Sequence, residues 1–419
     1  MISASQNEID VSNSKFIYDD VLQLRCVPLP LVRMAFIGLG KRGKQSFLHF
    51  LYIDGVEVKA LCDIYPSNLD EIQKLLHGYN KPYADLYVQP EDWKSVCERD
   101  DIDLIYICTD RSKHAEIAVY AMKNNKHVAI EVPAANTLEE CWELVNTAEQ
   151  TRKHCIMLEN CCYDYDELAL LNLSQSGFFG EIVHVEGAYI HDLRFLDFEN
   201  KAHYLDLWKM SGNPYPTHGF GPLCQLLGIH RGDKLQSIVS VSSGQFNYPE
   251  KYDADNSSLA LGNINTSIIK TYKGKTIVLQ HDVSSPRPYT RNYLLSGSRA
   301  YVEKRNELRI AVSENPSVYL SADETAMLMA ENEHCFYKQK GELARKVGAH
   351  GGMDFIMDYR LIYCLQNGLP LDMDVYDAVE WSCVVDLSAR SVVGGSAAIE
   401  FPDFTRGRWD KLRKLEFFQ

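Results

Sequence analysis

The chain reads as an α/β protein in two parts: a doubly wound parallel sheet, then an α+β part on a large, mostly antiparallel open sheet. Three observations predict this. From Val32 onward, short β-like apolar runs alternate with helical patterns, as in βαβ units. A glycine cluster, Gly38-Leu39-Gly40-Lys41-Arg42-Gly43, stands where the first strand gives way to the first helix. Beyond Asn160 that alternation stops, and long apolar or period-two runs take over.

The first strand is VRMAFI, and KQSFLHFLY after the glycines has helical spacing. VEVKALCDI, DLIYICTD and HVAIEV follow as strands, with PSNLDEIQKLLHGY and HAEIAVYAMKNN as the helices between them. Thr137-Leu138-Glu139-Glu140 is a capping box that starts a helix through Thr147, and CIMLEN is a further strand ending near Asn160. Next comes a helix from Asp164 to Gln175, then the strand runs EIVHVEGAYI, KLQSIVSVSS, SLALGNINTSIIKTY, KTIVLQHDVS and RNYLLSG. Tyr272-Lys273-Gly274-Lys275 reads as a hairpin turn. Helical patterns return at Gly352–Gln366 and Asp377–Val393. The chain thus divides into an N-terminal extension (1–30), a first domain (31–155) and a second (156–419), with no linker or repeat between them. Such halves share an interface, and a cleft between them is the natural ligand site.

With 419 residues, 46% hydrophobic and 24% charged, the chain is neither disordered nor fibrous. Lys and Arg number 43 against 57 Asp and Glu, so no field is available to hold a nucleic acid. The first thirty residues carry acids early and no signal-like apolar run. Nowhere do about eighteen apolar residues follow one another, so no membrane span and a cytoplasmic location are expected. The twelve Cys form no CxxC pair, and Cys62, Cys108 and Cys364 sit in apolar runs, which favours reduced thiols. Cys161-Cys162 are too close for ordinary disulfide geometry. Glu333-His334-Cys335 lacks partners at ligand spacing, so no metal centre is expected. The basic tail RGRWDKLRK reads as a solvated or inter-subunit surface, and a broad open sheet suits a homodimer or homotetramer.

The glycine cluster has the context of a Rossmann dinucleotide-binding turn. Gly38 permits the tight turn, Gly40 lets backbone approach a pyrophosphate, and Gly43 allows helix and strand to pack closely. Asp63, twenty residues after Gly43, ends the second strand, where a carboxylate accepts from ribose hydroxyls and repels a 2′-phosphate. NAD is therefore the expected cofactor, although Arg42 is a cation that could accommodate NADP.

With these features and the segment CTDRSKHAEIAVYAMKNNKHVAIEVP, the chain resembles the Gfo/Idh/MocA oxidoreductases. It departs from their sugar dehydrogenases in reading Glu131-Val132-Pro133 for Glu-Lys-Pro, and Thr217-His218-Gly219-Phe220-Gly221 for Asp-x-Gly-x-His. The strings LENCCYD, EGAYIHDLR, GNPYPTHGFGP, HDVSSPRPY, AHGGMD, PLDMDVYDA and IEFPDFTRGRW are similar to those of glycoside hydrolase family 109, NAD-dependent α-N-acetylgalactosaminidases on the same frame. That resemblance spans nearly the whole chain. It implies cofactor contacts at Gly38, Gly40, Lys41, Arg42, Gly43, Asp63, Arg111, Ser112, Lys113, His114, Glu131, Val132, Asn160 and Tyr215. It implies substrate contacts at Tyr189, Tyr215, Pro216, Thr217, His218 and Tyr289, with Glu159 able to orient a water or a tyrosine. The family has Trp-Arg about twelve residues before the Tyr-Pro-Thr-His tyrosine, with the Arg touching substrate; the ungapped register puts Ala202-His203 there, which makes His203 the expected substrate contact, and a gap puts Trp208-Lys209 there.

A nicotinamide cofactor in a glycosidase implies transient oxidation at C3, loss of the C2 proton, elimination at C1, addition of water and return of the hydride. His218 is the first choice for proton transfer, because imidazole titrates near neutrality, and its neighbours Gly219 and Gly221 leave room for a sugar. Tyr189 and Tyr215 come second, since a phenol needs a nearby cation to act as a base. Two other readings stand beside this one: a sugar or glycoside oxidoreductase that releases the C3-keto product, and a non-catalytic sugar or dinucleotide sensor.

Overall fold

The structure, a computed structural model, describes residues 19–194, 207–247, 259–315 and 317–419. Six parallel strands form the first sheet, in the order β3-β2-β1-β4-β5-β6. They are β1 (Val32–Ile37), β2 (Val56–Cys62), β3 (Asp85–Tyr87), β4 (Leu104–Ile107), β5 (His127–Ile130) and β6 (Cys155–Met157). This is the Rossmann order, with the chain reversing direction across the sheet between β1 and β4. Helices α1 (Lys41–Phe50), α2 (Pro66–Gly78), α3 (Asp92–Glu98), α4 (His114–Lys123) and α5 (Leu138–Thr151) connect the strands. β1, β4 and β5 are buried almost throughout, as strands covered on both faces must be. The Thr137–Glu140 capping box is formed, and its helix runs to Thr151. A division at 155/156 would run through β6.

The second sheet has eight strands in the order β13-β12-β11-β7-β10-β9-β8-β14. β7 (Ile182–Ile190), β8 (Leu235–Ser242), β9 (Ile264–Thr271), β10 (Thr276–Asp282) and β11 (Tyr293–Gly297) match the alternating runs. β12 (Ala300–Lys304), β13 (Leu308–Val312) and the short β14 (Ile399–Glu400) complete it. β7 with β10 is the parallel pair among otherwise antiparallel neighbours. The β9–β10 hairpin turns at Gly274, whose φ of +88° requires glycine.

Asp164 caps α6 (Tyr165–Gln175), and α7 (Thr217–Leu227) lies on the inner face of the sheet. Helices α8 (Ala322–Glu331) and α9 (Cys335–Val347) occupy a stretch whose sequence shows no clean periodicity. α10 (Met353–Asn367) follows, and the single helix expected at 377–393 is broken at Cys383 into α11 (Val375–Ser382) and α12 (Val384–Val393).

The two sheets share one continuous apolar core. α10 is the hinge of that contact: Asp358 accepts from Tyr106 at 2.8 Å and pairs with His49 at 2.7 Å, both from the first domain. The described part of the N-terminal segment is packed too, with Val21, Leu22 and Leu24 buried and the Val21 N–H on the Tyr376 hydroxyl. The basic tail is pinned at two points, and its Lys411, Arg413 and Lys414 are exposed, as expected of a solvated surface. Arg406 grips Glu149 of α5 at 2.6 Å, and Lys411 lies 2.8 Å from Asp20. Among the described residues no helix is long and apolar enough to cross a membrane.

Candidate active site

The glycine loop leaves its helix N-terminus open. Gly38 has φ +90°, and a Cβ there would strike the Cys108 carbonyl; a Cβ on Gly43 would strike the Gly38 carbonyl oxygen. Gly40 differs, because a Cβ there would meet nothing within 4 Å. No side chain caps α1 and no acid stands in its first turn, whereas α5, α8 and α11 all carry capping boxes. Free amides, a positive dipole end and empty space above Gly40 fit a pyrophosphate.

Asp63 closes this loop from β2. Its carboxylate accepts from the Leu39 N–H at 2.6 Å, the Tyr65 N–H at 2.8 Å and the Asn68 amide at 3.2 Å. A carboxylate offers about four acceptor sites, so one remains for a ribose hydroxyl. Arg42 is held by two carboxylates. Its guanidinium binds Glu131 at 2.6 Å and Asp354 at 2.7 Å, and so ties the glycine loop to α10. Fully buried Asp354 also accepts from Asn160 at 2.8 Å and pairs with His350 at 2.7 Å. Burial works against its charge, but Arg42 and His350 outweigh that and hold the carboxyl well below its usual range.

Beyond β4, Asp110 caps the turn that carries exposed Ser112 and Lys113. Arg111 donates to the Asn136 side chain at 2.6 Å and to the Pro214 carbonyl at 2.8 Å, which links this turn to the Tyr215 string. His114 is spent on structure: its ring lies 2.8 Å from the Pro133 carbonyl and 3.1 Å from that of Thr109. Burial lowers its pKa, against the two carbonyls, which raise it.

The other side of the site, with His218, Tyr189 and Tyr215, is built on β7 and the first turn of α7. A Cβ on Gly219 would lie 2.6 Å from the Ala188 nitrogen, and one on Gly221 would press on Trp381 and Glu159. These glycines therefore make room for the protein and not for a sugar, contrary to the sequence expectation. Their effect is to press α7 onto the sheet and set His218 beside Tyr189, with ring centroids 5.7 Å apart. His218 Nδ1 lies 2.7 Å from Glu159 Oε1, and Nε2 lies 3.4 Å from the Tyr215 hydroxyl.

Burial alone would lower the His218 pKa, but the Cys161 sulfur and the Glu159 carboxylate against the ring push it well above its ordinary value. The carboxylate carries this effect, since burial raises the Cys161 thiol and keeps it neutral. Glu159 is lowered in turn, because His218 outweighs the cost of burying it. Tyr215 is pushed well up, by burial first and Tyr189 second, so its phenol is protonated. The ring centroids of Tyr189 and Tyr215, both beside His218, are 4.7 Å apart, and Tyr289 is 6.4 Å from Tyr189.

The string Tyr215 to His218 is split by burial: Tyr215 and His218 are partly exposed, and Pro216 and Thr217 are covered. Glu159 is fully buried behind His218, where it reaches the cleft only through that ring. Val132 is buried beside the Val132–Pro133 cis bond, and exposed Lys41 opens α1. His203 and Ala202 lie outside the described residues. Trp208 is buried in a small apolar cluster against which Tyr189 and Tyr215 pack.

Sequence reasoning missed His191 and His281. His191 sits 3.2 Å from the Tyr189 hydroxyl. His281 stacks on Tyr189, and neither of its ring nitrogens makes a hydrogen bond. Burial, with Arg111 second, pushes its pKa down to about 3. The signal was present in β10, where Ile277, Leu279 and His281 alternate onto one face, so a histidine stands at a core position.

Comparison with known proteins agrees with this arrangement. The family model "Oxidoreductase family, NAD-binding Rossmann fold" matches residues 32–159, and "Glycosyl hydrolase 109, C-terminal domain" matches 163–411. The α-N-acetylgalactosaminidase of Bacteroides fragilis is 50% identical over 407 residues, covering 93% of this chain and 96% of that protein. A glycosyl hydrolase family 109 protein of Phocaeicola vulgatus is 46% identical, covering 93% of this chain and 98% of its own. Among solved structures, levoglucosan dehydrogenase in complex with NADH shares the fold at TM-score 0.67 and 16% identity, over 88% of this chain and 99% of that one. An oxidoreductase domain protein from Kribbella flavida reaches TM-score 0.68 at 16% identity, over 89% and 100%. Matched over both domains by family models and over nearly its full length by these relatives, the chain belongs to glycosyl hydrolase family 109, enzymes with an NAD-binding Rossmann domain.

Proposed function

We propose that this enzyme hydrolyses α-linked N-acetylgalactosaminides with NAD held in the cleft, and that His218, Tyr189 and Tyr215 are its catalytic residues. The observation that carries the reading is the line Glu159–His218–Tyr215 beside an uncapped glycine loop. Gly38, Gly40 and Gly43 would cradle the pyrophosphate and Asp63 the ribose, with Lys41, the Arg111–Lys113 turn, Glu131, Asn160 and Tyr215 around it. NAD bound there supplies a hydride acceptor for a sugar carbon and returns the hydride. His218 Nε2 moves the proton, because Nδ1 is engaged by Glu159 and only Nε2 faces the Tyr215 hydroxyl and the cleft. Glu159 holds the imidazolium and fixes the ring. Tyr215 passes or orients the proton, and Tyr189 and Tyr289 wall the sugar ring.

Further parts of the reading rest on single observations. The division between domains falls after β6. NAD over NADP follows from Asp63 and from the engagement of Arg42 by two carboxylates. A reducing, cytoplasmic setting is supported by twelve free cysteines. The open face of the second sheet, with Val241 and Ile268 exposed, suits association of identical subunits.

The test uses p-nitrophenyl α-N-acetylgalactosaminide in D2O, without and then with added NAD. Release of p-nitrophenol with deuterium incorporated at C2 is the expected result. An oxidoreductase would instead accumulate NADH and a keto product in step. No aryl release under either condition overturns the glycosidase reading for this sugar, and a sensor would give neither product.

A further inference from the structure

Three groups of side chains among the described residues bring three metal-ligand atoms within 4.8 Å of one another. Two already hold a cation of the protein's own. At His230, Asp374 and Asp377, the Arg231 guanidinium lies 2.7 Å from Asp377. At Asp164, Asp166 and Glu167, the Lys304 ammonium lies 2.7 Å from Asp166 and Arg291 bonds Asp164. The third, Glu159, Cys161 and His218, forms no ion pair with a Lys or Arg among the described residues, although the charge of Arg291 is felt at Cys161.

That third cluster also contains an unfinished polar centre. Glu159 Oε2 and Thr217 Oγ1 are buried and make no hydrogen bond of sound geometry, although the hydroxyl is near enough to favour the ionised carboxyl. Moreover, the proposed proton transfer has no use for a thiol at this point. Cys161 Sγ nevertheless lies against both the Asn160 side chain, at 3.5 Å, and His218.

We propose that Glu159, Cys161 and His218 form a binding site for a thiophilic divalent cation of the zinc class, and that occupancy arrests turnover. One sulfur, one nitrogen and one carboxylate oxygen are a borderline-soft donor set that suits zinc. Tetrahedral zinc holds nitrogen and oxygen ligands roughly 3.3 Å apart. The Nδ1···Oε1 distance of 2.7 Å must therefore open by a little over half an ångström. Glu159 is anchored by the Cys161 N–H at 3.1 Å, so the ring that faces the cleft makes this movement. The ion sits behind the ring, on the Nδ1 side, and its fourth position takes a buried water. Binding is an exchange with no redox step: the ion displaces the thiol proton and the imidazole proton, which leave to solvent. The imidazole is then a ligand and carries no proton to the sugar.

Binding does not depend on the proposed glycosidase activity; only the arrest of turnover does. The experiment therefore reads the two separately. Protein purified with its NAD is stripped with a chelator and titrated with Co2+, recording the sulfur-to-cobalt charge-transfer band, and then with Zn2+. Expected are one equivalent of cobalt, a band that zinc displaces, loss of the band in Cys161→Ser, and its retention in Cys162→Ser. In parallel, zinc lowers aryl release in the unmodified enzyme by roughly a hundredfold, within the range of a lost acid–base group, and leaves Cys161→Ser unresponsive. Absence of the band in the unmodified protein, or its persistence in Cys161→Ser, overturns the site. Inhibition that is equal in Cys161→Ser overturns the link to turnover. Cys161→Ala replaces Cys161→Ser if a buried hydroxyl costs the fold. If the aryl sugar is not hydrolysed at all, the cobalt band still decides the site.

Discussion

Helices α1 and α7 both begin at the cleft with glycines, but the space those glycines leave has opposite uses. Around α1, a Cβ on Gly40 would meet nothing, and the amides of the first turn are uncapped. Around α7, the space beside Gly219 is filled by the backbone of β7, and that beside Gly221 by Trp381 and Glu159. A glycine-rich helix start thus announces a close approach without saying what approaches. At α1 no protein atom approaches Gly40, which leaves the place to the proposed anion; at α7 the partner is the protein itself, and the close packing aims His218.

The largest effect expected from breaking this arrangement is on the aimed group. His218→Ala should lower kcat for the aryl sugar by roughly a hundred- to ten-thousandfold, with NAD content unchanged. Unchanged turnover would remove His218 from the chemistry. Glu159→Gln comes next and should lower kcat roughly tenfold or more, because the ring loses its orienting charge. Its sharper signature is in pH. Glu159 raises His218, so removing the charge lets the ring deprotonate earlier, and the acid limb of kcat/KM moves to lower pH. A limb that stays in place would mean that Glu159 does not set the proton affinity of the ring.

The pair has a stability counterpart. His218 is raised, so its contribution to folding is full below the unfolded imidazole value of about 6.5 and is lost as pH rises through the folded value. Glu159 is lowered, so its share is present above the ordinary carboxyl value and is lost as pH falls through the folded one. Thermal midpoints across pH in Glu159→Gln should therefore lose the Glu159 slope and the gain from protonating His218, since burial alone then opposes the charged ring. Gly219→Ala is smaller in its effect on rate and larger in its effect on fold. A Cβ placed 2.6 Å from the Ala188 nitrogen forces α7 off the sheet, at a cost of about 1–3 kcal/mol read from denaturant midpoints.

The cofactor half was more legible in sequence than the substrate half, for a physical reason. Gly38, Gly40, Gly43 and Asp63 act within one βαβ unit, so their spacing records their geometry. Glu159, Cys161 and His218 converge from a loop after β6 and from the first turn of α7, and no spacing records that meeting. Asp354 shows the same limit. Its string was visible, but its role as the carboxylate that binds Arg42, Asn160 and His350 exists only once α10 docks on the first domain. The motif positions of Arg42 and His114 likewise say nothing of their side chains, which bind Glu131, Asp354 and two carbonyls. The loss of periodicity around α8 and α9 is likewise local: α8 buries only Thr325 and Met329, too little to leave an apolar stripe.

The smallest expected effect separates the two helix starts most cleanly. Gly40 has φ −64°, an angle any residue adopts, and its missing Cβ leaves open space. Gly40→Ala should therefore leave the thermal midpoint of NAD-free protein where it is. A methyl group in the space meant for the pyrophosphate should still weaken NAD binding about tenfold, or about 1.4 kcal/mol, measured by titration of protein stripped of cofactor. If the NAD-free midpoint falls as far as in Gly219→Ala, the space above Gly40 serves the fold and the contrast between the helices disappears. If neither midpoint nor affinity changes, the anion approaches the α1 amides from another side, and Gly40 is present only to let the turn form.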